Sequence, residues 1–184
     1  MNLTLNRVLR LARSAARTVL APARSTAPPR PGRRTGGQPP VAAHGVTVEY
    51  DVVRLGLPRL AYSPERDGEP DPGEVVWTWV SYEDDPSRGK DRPVLVIARE
   101  GDRLLVLQLT SKDKDLDRAA EARHGRSWLD IGSGAWDSRG RPSEVRLDRL
   151  LWASAGDVRR EGAALDRGRY DAVVGALRAL HGGR

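Results

Sequence analysis

The sequence predicts a mainly β fold, a small antiparallel barrel packed by one C-terminal helix. Three observations lead to this prediction. Short apolar runs rich in valine, leucine and tryptophan recur after residue 72, and turn residues separate them. A helical period appears only in the last apolar run. The region before these runs is dense in proline, glycine and arginine, a composition unsuited to a packed core.

The first three barrel strands are the clearest in the sequence. Residues 75–80 (VVWTWV) are β-branched or aromatic, which favours a strand. Residues 94–97 and 104–109 are almost entirely apolar, and the turn residues Glu100, Gly101 and Asp102 lie between them. We therefore predict that these two runs form a hairpin buried on both faces.

Two later strands and a helix complete the predicted domain. The strand candidates are residues 127–131 and 143–152, divided by loops rich in glycine, serine and proline. The helix begins after the predicted N-cap Asp166 and ends at Gly182-Gly183. Its apolar residues keep three-and-four spacing and are Tyr170, Val173, Val174, Leu177 and Leu180.

Residues 1–45 are predicted to form a disordered, basic, Pro/Gly/Arg-rich tail. Within it, residues 3–20 have the pattern of a basic amphipathic helix, which suits a membrane surface, RNA or a nascent helix in a disordered tail. Residues 1–48 hold eight arginines and no acidic residue, so their charge is +8 against +6 for the whole chain. Residues 49–184 therefore carry −2, and the net charge does not make the domain a phosphate binder.

The composition also restricts location and chemistry. The chain lacks cysteine, which excludes thiol chemistry and thiolate metal sites. Arginines interrupt every N-terminal apolar stretch, and no run approaches the roughly 20 apolar residues of a membrane span. We therefore predict a cytoplasmic protein without stable membrane insertion.

Residues 46–70 are predicted as an extension with a short strand over 46–52, which either joins the domain edge or stays loosely attached.

The sequence offers little support for a metal or a cofactor. The histidines are scattered, and none has the spacing of a metal site. The run Glu83-Asp84-Asp85 contains oxygen ligands that Mg²⁺ accepts, yet adjacent carboxylates in a loop are more often a solvated turn. The fingerprints of acyl transfer, nucleotide hydrolysis and dinucleotide binding are absent. We predict neither metal nor cofactor.

Two features at strand boundaries are candidates for chemistry. Arg92 precedes one strand of the predicted hairpin, and Thr110-Ser111 ends the other, so both lie at its open end. A guanidinium suits a phosphate or its transition state, and a hydroxyl adds a further hydrogen bond. The alternative is that Arg92 caps a loop against Asp91 or Asp85, and that Thr110-Ser111 simply ends a strand.

The order of three short motifs resembles one known family. Residues 72–77 (PGEVVW), 92–97 (RPVLVI) and 109–111 (LTS) together resemble the MazF/PemK toxins of type II toxin–antitoxin systems, over roughly residues 71–180. The resemblance implies an SH3-like small barrel of the MazF/PemK/CcdB type at residues 71–184. It also implies a homodimer, a cognate antitoxin as partner, and an RNA substrate. The implied activity is metal-independent cleavage of single-stranded mRNA by attack of the 2′-hydroxyl on the scissile phosphate.

The resemblance also assigns the site residues. It implies that Arg92 and Thr110 are the catalytic pair, with Ser111 as the neighbour that can substitute for Thr110. We further predict that the substrate binds through Arg88, Lys90, Ser111 and Lys112. The chain departs from the family in the loop over residues 83–91, which lacks a glycine-rich stretch, and at Leu151-Trp152, where an Arg-Thr pair is common. The alternative is therefore a catalytically inactive SH3-like module that binds nucleic acid or protein.

Overall fold

The computed structural model describes residues 45–114, 118–159 and 163–182; the predicted helix over 3–20 and nearly all of the predicted tail lie outside these residues. The described elements are β1 Val48–Glu49, α1 Val52–Leu55, β2 Val75–Ser81, β3 Gly89–Glu100, β4 Arg103–Thr110, α2 Arg118–Arg123, β5 Trp128–Gly132, β6 Ser143–Ser154 and α3 Arg167–His181. One 3-10 turn, Ala155–Asp157, follows β6.

The strands of the described part form one antiparallel sheet in the order β1-β6-β4-β3-β2. Strand β6 is long enough to pair with β5 near its beginning and with β1 near its end. The sheet curls into a half-barrel, and α3 contacts it through β5 and β6. The predicted mainly β, SH3-like barrel with a C-terminal helix is confirmed.

Both faces of the central hairpin are buried, as its apolar composition predicts. One face carries Leu95 and Leu107, which pack against Tyr170, Val173 and Leu177 of α3. The side chain of Asp166 accepts a hydrogen bond from the Arg169 amide at 3.0 Å, so the predicted cap begins the helix. Of the apolar helix residues predicted to face the core, Leu180 does not, because it lies in the last turn and is 44% exposed.

The opposite face of the sheet has its own small core. Val76, Val94, Val106 and Leu151 are fully buried there. The 3-10 turn and Val158 cover them, and Trp77 of β2 exchanges backbone hydrogen bonds with Arg159. This second core occupies only part of the face, since polar residues replace the apolar ones toward the open end of the hairpin.

The segment before β2 is built into the domain. The strand expected over 46–52 shrinks to β1, because the side chain of Asp51 accepts a hydrogen bond from the Arg54 amide and begins α1. Strand β1 pairs with β6, so it adds to the edge of the sheet. Tyr62 packs against the α3 core, and its hydroxyl donates to the Leu165 carbonyl at 2.8 Å. Among the described helices, none is long and apolar enough to cross a membrane.

Candidate active site

The open end of the β3–β4 hairpin carries the residues predicted to act in chemistry. Val94 of β3 pairs with Gln108 of β4, so Arg92 and Thr110 each lie two residues further toward the same end. Strand β3 starts at Gly89, which means that Arg92 lies inside the strand and pairs with Thr78 of β2. The sequence placed Arg92 before the strand, because the polar residues 89–91 resemble a loop.

Two cavities meet at this end of the hairpin. The first has a volume of about 250 Å³, and we call it the basic cleft. Of the described residues lining it, the cationic ones are Lys90, Arg92, Lys112, Lys114, Arg126 and Arg146, and the acidic ones are Glu83 and Glu121. The second cavity, of about 290 Å³, is lined by Ser111 together with Lys90, Arg92, Thr110 and Lys112.

The structure thus brings together five of the six site residues that the sequence predicts, namely Lys90, Arg92, Thr110, Ser111 and Lys112.

The sixth, Arg88, lies apart from them. Its guanidinium lies over the ring of Tyr82, 5.7 Å from the ring centroid, in the loop between β2 and β3. It lines neither of the two cavities.

Half of the cations of the basic cleft are neutralised by carboxylates. Glu121 binds the Lys114 ammonium at 3.0 Å and lies 3.8 Å from the Arg126 guanidinium. Although burial raises the pKa of Glu121, hydrogen bonds from Trp128 and Lys114 outweigh it and hold that pKa below its usual value. This carboxylate therefore remains charged and fixes the position of both cations.

Arg146 forms the floor of the basic cleft. It is 4% exposed and binds the carboxylates of Glu83 and Asp148, the latter at 2.6 Å. Burial works against the charge on Arg146, but the hydrogen bonds to Asp148 and Glu83 outweigh it and raise its pKa. The hydrogen bond from Arg146 in turn lowers the pKa of Glu83. The three groups form a fixed, charged unit.

The other half of the cleft's cations are unpaired. Lys90, Arg92 and Lys112 have no side-chain hydrogen bond or ion pair with any residue that the structure describes. The two carboxylates that the sequence offered as caps for Arg92 are engaged elsewhere. Asp91 binds Arg159, and Asp85 accepts hydrogen bonds from Ser87. Three free cations in one cleft attract an anionic ligand.

Thr110 stands ready to donate a hydrogen bond. Its hydroxyl oxygen accepts from the Lys112 amide at 3.1 Å, and within the described ranges no acceptor takes its hydrogen. Thr110 pairs with Glu144 of β6, whose carboxylate accepts from the Lys114 amide at 2.7 Å. These two bonds hold the loop after β4 against the sheet and keep its cations at the cleft.

Some residues of the cleft were missed by sequence reasoning. Gln108, Arg126 and Arg146 line it, although none belongs to the strand-end pattern. For Arg146 a signal exists: in the run VRLD, charged residues alternate with apolar ones, as on a strand that keeps one face polar. The carboxylates at 83–85 do not gather as a metal site, and within the described ranges no group of three His, Asp or Glu is arranged to hold a metal ion.

The curled antiparallel half-barrel sheet with its C-terminal helix places the chain in the class of SH3-like barrel proteins. The family of PemK-like, MazF-like toxins of type II toxin–antitoxin systems matches residues 71–181, and the chain belongs to this family. The crystal structure of MazE–MazF (form II) from Deinococcus radiodurans is similar at 20% identity and a TM-score of 0.43, covering 64% of this chain and 100% of that one. No curated protein sequence matches the chain.

Proposed function

We infer that this toxin-family protein is a metal-independent endoribonuclease that cleaves single-stranded mRNA. The observation that carries the proposal is the pairing of an uncommitted guanidinium, Arg92, with an uncommitted hydroxyl, Thr110, at the border of two cavities. A guanidinium without a carboxylate partner keeps its donors for a phosphate. A strand-end hydroxyl beside it supplies one more donor to the same anion.

The proposed reaction is an internal transesterification. The 2′-hydroxyl oxygen forms a bond to the adjacent phosphorus as its proton leaves to a base. The bond from phosphorus to the 5′-oxygen breaks, and that oxygen gains a proton. The products are a 2′,3′-cyclic phosphate and a 5′-hydroxyl end.

Arg92 and Thr110 stabilise the charge that develops on the phosphate oxygens. Arg92 takes no part as a base, because a guanidinium stays protonated at ordinary pH. Lys90 and Lys112 hold the neighbouring phosphates, and Ser111 lies beside the reacting one. Arg146, locked between Glu83 and Asp148, fixes the floor of the cleft in position.

The toxin family also supports a partner. We propose that a cognate antitoxin covers the cleft with a segment that folds on binding, and that the toxin acts as a homodimer in the cytoplasm. In this proposal residues 71–184 form the toxin domain, residues 46–70 its extension and residues 1–45 a separate basic tail.

The test is cleavage of a long, unstructured RNA by the full chain in EDTA, with product ends identified chemically. The wild type is expected to give 2′,3′-cyclic phosphate and 5′-hydroxyl ends. Arg92→Ala should lose roughly 100- to 1000-fold in rate, the effect of removing one transition-state donor. Arg103→Ala is the control, since Arg103 lies over the Trp152 ring at the other end of β4.

Intact RNA, or equal cleavage by Arg92→Ala, contradicts the proposal. RNA binding without cleavage by the wild type would instead support the catalytically inactive binding module. That module is the alternative suggested by the unusual loop over residues 83–91.

A further inference from the structure

A third cavity lies on the other side of Arg92. Its volume is about 330 Å³, and it is bounded by the end of β2 and the loop that follows, by Arg149 and by Gln108. We call it the Gln108 pocket. Arg92, Gln108, Glu83 and Arg126 also line the basic cleft, so the two cavities adjoin at these residues. A ligand whose phosphate binds at Arg92 therefore has room for an attached group in the Gln108 pocket.

Gln108 is an unusual residue for its position. It is 8% exposed, yet its amide has no hydrogen-bond partner in the part of the chain that the structure describes. Every fully enclosed side-chain nitrogen or oxygen of the described residues has a partner. The Gln108 amide must therefore open onto the cavities. A buried amide without a partner is destabilising, so its presence needs an explanation outside the core.

The strand pattern makes the placement clear. Leu104 and Val106 precede Gln108 on the same face of β4, and both are fully buried in the second core. Continuing that stripe would call for another apolar residue. The amide instead stands where the pairing of β4 with β6 is interrupted, because β6 inserts extra residues between the partners of Leu107 and Leu109. An irregularity of this kind disrupts the strand ladder locally and bends the strand that carries it.

The spacing of Gln108 and Thr110 fits one nucleotide. The two residues are separated by one position on the same strand, so their side chains project to one face about 7 Å apart. That separation is close to the span from a phosphate to the edge of its base. A phosphate held by Arg92 and Thr110 would thus place an unstacked neighbouring base at Gln108.

The lining of the pocket leads us to expect a preference for one type of base. Asp84 lines it and has no partner among the described residues. Its carboxylate accepts hydrogen bonds and repels carbonyl oxygens. A base edge with an exocyclic amino group suits a carboxylate and an amide together, whereas uracil presents two carbonyl oxygens. Proteins recognise unpaired RNA bases through hydrogen bonds of this kind.

We propose that Gln108 is a specificity-determining residue that reads one unpaired, amino-bearing base next to the phosphate at Arg92 and Thr110. The inference rests on the proposed function for the identity of the ligand as RNA. It adds a base-binding pocket to the phosphate site.

The experiment compares the full-length wild type with Gln108→Met, which keeps the length of the side chain and continues the apolar stripe. Thr78→Val is the matched control, since Thr78 of β2 is 2% exposed, lines none of the three cavities, and its hydroxyl makes only a long hydrogen bond of 3.3 Å. Cut sites in a randomised RNA pool are sequenced. Binding is measured in parallel by fluorescence anisotropy on short RNAs whose 2′-hydroxyl is removed at the cut site.

The wild type should prefer an amino-bearing base at one position beside the cut, in both cleavage and binding. Gln108→Met should lower that preference by about 10-fold at this position alone, the effect of losing one bidentate base contact. Thr78→Val should keep it. Unfolding midpoints of both variants show whether the fold is intact.

An unchanged profile in a folded Gln108→Met, or a wild-type preference for uracil at that position, would overturn the inference. If the wild type cuts nothing but binds RNA with a base preference that Gln108→Met removes, the inference stands and the proposed catalysis fails. Binding without any base preference overturns the inference whether or not cleavage occurs.

Discussion

Tyr62 is expected to be a structural residue of the domain, although it lies before the first residue of the family match. Its ring packs against Tyr170 of α3 at a centroid distance of 5.1 Å, and its hydroxyl donates to the Leu165 carbonyl. The guanidinium of Arg167 lies over the same ring, 5.2 Å from the centroid. The segment containing Tyr62 thus covers part of the core between the sheet and α3.

The size of the effect follows from these contacts. Truncation of a fully buried aromatic side chain costs about 3–5 kcal/mol. Tyr62 is half-buried, so Tyr62→Ala should cost roughly 2–3 kcal/mol for packing and about 1 kcal/mol for the hydrogen bond. Tyr62→Phe removes only the latter. At about 2–8 °C per kcal/mol, Tyr62→Ala should lower the melting temperature by roughly 10 °C and Tyr62→Phe by a few degrees.

The assay is thermal and urea unfolding of the full chain, followed by tryptophan fluorescence. Val53→Ala is the control, because Val53 lies in the same segment but is 74% exposed. Its effect should stay within about 0.5 kcal/mol. If Tyr62→Ala unfolds at the same midpoint as Val53→Ala, the segment does not belong to the folded core and the argument is wrong.

Three further predictions concern charge. Burial raises the pKa of Tyr170 to about 12 from 10.0. The stability that the Tyr170 hydroxyl contributes is therefore complete below pH 10 and is lost as the pH rises toward 12. The urea unfolding midpoint of Tyr170→Phe should lack this alkaline loss. Hydrogen bonding from Arg146 lowers the pKa of Glu83 from 4.5. The stability that Glu83 contributes is therefore present above pH 4.5 and is lost as the pH falls below it. Glu83→Gln should flatten the acid limb of the same curve, and an unchanged limb contradicts the pairing. Lys112→Ala should weaken RNA binding equally for all sequences and reduce the salt slope of the affinity by about 0.7, measured by anisotropy; an unchanged slope would show that Lys112 touches no phosphate.

Sequence patterns predicted the parts of the fold that rest on local physics. Two kinds of pattern were sufficient. The β-branched, aromatic and apolar runs indicated the strand at residues 75–80 and the two hairpin strands, and the three-and-four spacing of apolar residues indicated the last helix. Asp166 was recognisable as an N-cap because its side chain suits that position and it directly precedes the helical period. Helix α2 was missed because it is short and is held by side-chain contacts outside the helix: Glu121 binds Lys114 and the indole of Trp128.

The site was predictable only where it depended on a strand end. Arg92 and Thr110 follow from the hairpin, since the register of two neighbouring strands decides which residues meet. The location of Arg146 and Gln108 at the cleft cannot be inferred from the hairpin, because it depends on the irregular pairing of β4 with β6. An inserted bulge leaves little trace in a single sequence, and it moves every later side chain relative to its neighbours.

Ion pairing explains how a segment with a net charge of −2 presents a basic site. What an anionic ligand meets is the unpaired charge within reach, and screening hides charges beyond about 10 Å. In the basic cleft both carboxylates are committed, Glu83 to Arg146 and Glu121 to Lys114. The remaining cations, Arg92 among them, keep their full charge at the hairpin end. Attraction of an anionic ligand therefore depends on which acids are already paired in the folded chain, a property that summed composition does not contain.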